Sequence, residues 1–77
     1  MNTLTINKST CANELWFSDN KMYVLLDDGR ELAVPVDWFP QLRDATEEQQ
    51  NNWRFIGGGE GIHWEALDLD VLVEGLL

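Results

Sequence analysis

The stretch Lys21-Met22-Tyr23-Val24-Leu25-Leu26-Asp27-Asp28-Gly29-Arg30-Glu31-Leu32-Ala33-Val34-Pro35-Val36 decides the fold. Lys21 to Leu26 is rich in apolar, aromatic and β-branched residues, which suit a half-buried strand. Asp28-Gly29 is a hairpin signal, because glycine accepts positive φ without a steric penalty. On the return, Leu32, Val34 and Val36 alternate with Glu31, Ala33 and Pro35. That period of two puts the first three on one face, toward a core. Pro35 has no amide to donate, so the strand ends there or lies at an edge.

Toward the N-terminus, Glu14-Leu15-Trp16-Phe17 reads as a strand entering a turn at Ser18-Asp19-Asn20. The first 10 residues are polar, with only Leu4 and Ile6 as a short edge strand, and residues 1–12 are expected to fray. Toward the C-terminus the period changes. Asp37 can cap a short helix from Trp38, with Pro40 tolerated in its first turn and Trp38 and Leu42 on one face. Thr46-Glu47-Glu48-Gln49 matches a capping box, which predicts a helix from Glu47 to Asn52. Trp53-Arg54-Phe55-Ile56 reads as a strand and Gly57-Gly58-Gly59-Glu60-Gly61 breaks it. Ile62-His63-Trp64 is a further extended piece, and Leu67-Asp68-Leu69-Asp70-Val71 alternates apolar with acidic residues. Val73 to Leu77 closes as a strand end or a turn of helix. The expected fold is a single α+β domain over residues 1–77: a small antiparallel meander with one or two short helices packed on one face.

Composition narrows the function classes. The chain has 77 residues, 14 acids against 5 Lys and Arg, and a net charge of −9. Phosphate backbones and anionic membranes would repel it, so neither direct nucleic-acid binding nor membrane docking is expected. The lone cysteine, Cys11, allows no internal disulfide, which suits a reducing cytoplasm. The N-terminus has no basic segment followed by an apolar run and does not read as a secretory signal. No Lys or Arg follows Arg54, whereas Glu60, Glu65, Asp68, Asp70 and Glu74 do. That segment should present an acidic face, which serves either solubility or the docking of a basic partner.

The candidate chemical sites are weak. The glycine run lacks the Lys and Ser or Thr of a phosphate loop and reads as a turn, or as a close backbone approach to a tryptophan. His63, the only histidine, could join Asp68 and Asp70 in a metal or small-ligand site, or could be structural. Cys11 with His63, and Asp68 with Asp70, are poor candidates for a thiolate pair and a catalytic carboxylate pair. Neither a catalytic residue, a cofactor nor a bound metal is expected. Most of the tryptophans, Trp16, Trp38, Trp53 and Trp64, should be core, with one or two free to anchor an interface.

From about Leu25 onward an ordered set of elements carries a resemblance. It runs through Leu26-Asp27-Asp28-Gly29-Arg30, Val34-Pro35-Val36-Asp37-Trp38-Phe39-Pro40, Ile56-Gly57-Gly58-Gly59, Gly61-Ile62-His63-Trp64, Leu67-Asp68, Asp70-Val71 and Gly75-Leu76-Leu77. The chain resembles the small bacterial family called domain of unknown function 2442. Glu60, Leu69 and Leu72 stand where that family tends to carry an aromatic, an acid and a small polar residue. The resemblance implies a small α+β fold without established catalytic residues. It also implies kinship with antitoxin-like partners of small basic proteins.

Together these readings predict a non-enzymatic cytoplasmic interaction module. It would bind a basic protein through Glu60, His63, Trp64, Glu65, Asp68, Asp70 and Glu74. A homodimer through the edge Leu32–Val36 or through Leu76-Leu77 belongs to the same class. The alternative is the ligand or metal site at His63, Asp68 and Asp70.

Overall fold

In the computed structural model, which describes residues 10–77, the meander is built as two three-stranded antiparallel sheets. The first comprises β1 (Ala12–Ser18), β2 (Lys21–Leu26) and β3 (Glu31–Pro35), in that order. Asp19 and Asn20 both take positive φ, the requirement of a two-residue turn whose twist matches its strands, and Ser18 faces Lys21 across it. The second turn uses Gly29 at φ +94°, and Arg30 is held by two bonds donated to the Asp28 carboxylate. Met22, Val24 and Leu26 alternate inward on β2, and Val34 joins them opposite Met22.

Two short helices follow. The chain makes a 3-10 turn at Val36–Trp38 before α1 (Pro40–Arg43), so the helix expected from Trp38 starts two residues later, with Pro40 at its first position. The helix predicted over Glu47–Asn52 is α2 (Glu47–Gln50), which ends two residues earlier with Asn51 at its C-cap. Its capping box is complete: Gln49 N–H donates to Thr46 Oγ1 at 3.1 Å and Thr46 N–H donates to Gln49 Oε1 at 3.0 Å. Neither helix is long enough to stand by propensity, and both are fastened to what they cover. Gln41 Nε2 donates to the Leu67 carbonyl and Gln50 Nε2 to the Leu42 carbonyl, each at 2.7 Å.

The second sheet is β4 (Trp53–Ile56), β5 (Gly61–Trp64) and β6 (Leu69–Leu72), in that order. Trp53, Trp64 and Leu69 lie opposite one another, as do Phe55, Ile62 and Val71, and these rows form the inner face. Leu67 and Asp68 precede β6 in a turn, Asp68 at φ +50°, so the alternation read over Leu67–Val71 is strand only from Leu69. Val73–Leu76 ends the chain as a 3-10 turn.

The buried residues of both sheets and of α1 form one cluster, with Leu15, Met22, Val24, Leu42, Ile62, Trp64 and Val73 among them. Trp64 is fully buried, and its ring N–H donates to the Gln50 carbonyl at 2.9 Å, so burial leaves no polar atom unpaired there. Gly59 joins the sheets. Its carbonyl accepts from Ala12 N–H at 2.8 Å, and a Cβ on it would stand 2.6 Å from the Ala12 carbonyl oxygen. The close approach expected of the glycine run is therefore to the backbone of β1 rather than to a tryptophan. Among the described residues no helix is long and apolar enough to cross a membrane. The reading of Leu4 and Ile6 falls outside the described residues.

Candidate functional site

Register across the second sheet sets a charged row on its outer face. Arg54 of β4 faces His63 of β5, which faces Asp70 of β6. Val73 N–H donates to the Glu60 carbonyl at 2.9 Å, and the alternation of antiparallel pairing then makes 71–62 and 69–64 the hydrogen-bonded pairs. His63 and Asp70 thus form a non-hydrogen-bonded pair, the kind whose side chains come closest. His63 Nδ1 lies 2.5 Å from Asp70 Oδ1, and Nε2 lies 3.2 Å from Glu65 Oε1. Arg54 Nη2 donates to the same Glu65 oxygen at 3.4 Å.

Both ring nitrogens of His63 face carboxylate oxygens, and only the imidazolium can donate from both. The hydrogen bond to Asp70 accordingly raises the His63 pKa, partial desolvation opposes the shift, and the charges of Asp70 and Glu65 add to it. The His63 side chain is 16% exposed, whereas Glu65 and Asp70 are open to solvent. This is an ion cluster at a surface.

The structure brings together only part of the predicted site. His63, Glu65 and Asp70 meet, whereas no hydrogen bond joins Asp68 to His63. Asp68 points from a turn, so the shared strand face expected for Asp68 and Asp70 does not form. Among the described residues no group of three or more His, Cys, Asp or Glu side chains is placed to hold a metal ion. Glu60 and Glu74 are exposed, Glu60 in the loop before β5 and Glu74 in the last 3-10 turn. Trp64 lies in the core, so its ring is not part of the surface a partner would meet. Trp38, at 63% exposure, is the tryptophan most open to solvent. Trp16 stacks on Tyr23 on the outer face of the first sheet, with ring centroids 5.6 Å apart.

Sequence reading also missed a groove. It runs along β6, with a volume of about 680 Å³, between Trp38 and Phe39 on one wall and Leu69 to Leu72 on the other, closed by Gly75 and Leu76. Its lining is mainly apolar and includes Asp70. Arg54 was missed as well, because its place beside His63 follows from strand pairing rather than from spacing in the chain.

Two antiparallel sheets sharing one core, two short helices and a charged row on an outer sheet face define a small α+β domain. The family model described as Protein of unknown function (DUF2442) matches residues 12–77, and the chain belongs to that family. Among solved structures, it is similar to a protein of unknown function from Rhodospirillum rubrum ATCC 11170. The two are 28% identical, the match covers 90% of this chain and 86% of that one, and the TM-score is 0.78. A comparison with curated proteins finds no match.

Proposed function

We propose that the protein is a non-enzymatic cytoplasmic interaction module that binds a small basic protein in an antitoxin-like manner. The observation that carries this reading is the coincidence of charge and apolar surface on the second sheet. Beyond Arg54 the chain has acids and no Lys or Arg. The exposed acids Glu65, Asp68, Asp70 and Glu74 accompany an open groove bordered by Trp38, Leu72 and Leu76. Acidic surface steers a basic partner during encounter, and aromatic or leucine anchors then supply the affinity. The partner contacts are Glu60, Glu65, Asp68, Asp70 and Glu74 for charge, with His63 at the interface as the group a partner cation displaces from Asp70, and Trp38 in place of Trp64 as the aromatic anchor. The module works without cofactor or metal and without nucleic acid or membrane.

Affinity capture of the tagged protein from its own cell lysate, at low and at high salt, tests the reading. The expected result is one small basic protein, recovered at low salt and lost at high salt. Recovery of the bait alone, or of a partner retained equally at both salts, would overturn it.

A further inference from the structure

We infer that the partner docks as an extended strand on the outer edge of β6, pairing with the outward backbone of Asp70 and Leu72. The inference rests on the proposed basic partner and specifies how that partner is held. With 73–60, 71–62 and 69–64 as the bonded pairs, the N–H and C=O groups of residues 70 and 72 point away from β5. β6 is an outer strand of its sheet among the described residues, and no other backbone hydrogen bond within them involves these two residues. A strand edge of this kind is a template for a further strand.

The groove lies along that edge. It is lined both by the inner-face residues Leu69 and Val71 and by the outer-face residues Asp70 and Leu72, so it opens onto the edge itself. Trp38 is 63% exposed and Leu72 is 65% exposed, leaving apolar surface for alternate side chains of an incoming strand. Charge selects the occupant. Asp70 lines the groove, Asp37, Asp68 and Glu74 are exposed on the segments that border it, and among the described residues no Lys or Arg contributes to its walls. A second copy of this chain would bring another −9 to the same place. A strand alternating apolar with cationic side chains fits both features: its apolar side chains would meet Trp38, Phe39 and Leu76, and its cations would meet Asp70 and its acidic neighbours.

The test uses a capped synthetic peptide alternating valine and lysine, and amide hydrogen exchange of the full chain read by NMR. In the free protein the Asp70 and Leu72 amides should exchange quickly while the Ile62 amide is protected. Peptide should slow the Asp70 and Leu72 amides by about tenfold or more. N-methylation of the peptide amides along one edge should weaken binding roughly tenfold, as loss of a backbone bond does. Leu72→Lys should abolish binding while leaving Ile62 protected. If the peptide binds in a salt-sensitive way but N-methylation is without effect and these amides stay fast, strand addition is overturned and the acidic-surface reading stands. If no peptide binds, both fall. If the two amides are protected without peptide, in proportion to protein concentration, the edge is occupied by a second copy and the inference is overturned.

Discussion

Gly59 and Trp64 hold the molecule together in different ways. Gly59 has φ +105° and no room for a Cβ, whereas Gly58, at φ +70°, has open space around it. Alanine at position 58 therefore costs only backbone strain, about 1–2 kcal/mol. Gly59→Ala adds a clash with the Ala12 carbonyl and should destabilise clearly more, as the two denaturant midpoints will show. Trp64 fills the core and satisfies the Gln50 carbonyl. Trp64→Ala should cost about 3–5 kcal/mol, against a total of about 4–12 kcal/mol for a domain of this length. Trp64→Phe keeps most of the volume but strands that carbonyl, a loss of roughly 1–3 kcal/mol by the same unfolding measurement. His63 adds a dependence on pH. A histidine whose folded pKa is raised contributes stability that is fully present below its unfolded value of 6.5 and is lost as pH rises through the folded value. The melting temperature should therefore carry a component that falls above pH 6.5, and Asp70→Asn should remove most of it.

At the scale of elements, Thr46→Ala removes the side chain that accepts from Gln49 N–H and should cost about 1 kcal/mol, measured by chemical denaturation. The capping box was legible because its whole geometry lies within four consecutive residues. The hairpin through Gly29 and the strand Trp53–Ile56 were legible for the same reason: turn chemistry and side-chain period are local. Two features were not. The division of the meander into two sheets depends on which strands pair, and the row Arg54–His63–Asp70 depends on their register. Hydrophobicity also misled at the tryptophans. Trp64 alone of the four is fully buried, because only its position combines the inner face of a central strand with a carbonyl within reach of its ring N–H. The start of β6 was misplaced because alternation continues through Leu67 and Asp68 although the backbone there turns.

For the whole molecule, charge and shape act together. Self-repulsion at −9 favours dispersion, and in the proposed reading the open apolar groove takes a partner whose charge offsets it. Because Asp70 both holds His63 and lines the groove, a cation arriving there competes with the imidazolium. Binding of a basic strand should consequently tighten as pH rises through the His63 value, and Asp70→Asn should abolish that trend along with much of the affinity. The most direct measurement is calorimetric titration of the valine–lysine peptide into wild type and into a variant carrying Asp68→Asn, Asp70→Asn and Glu74→Gln. Each titration would be run at low salt and at about 1 M salt, where the screening length falls to ~3 Å. The account predicts binding to wild type at low salt only, and little binding to the variant at either. Equal affinity for both proteins, unchanged by salt, would contradict it.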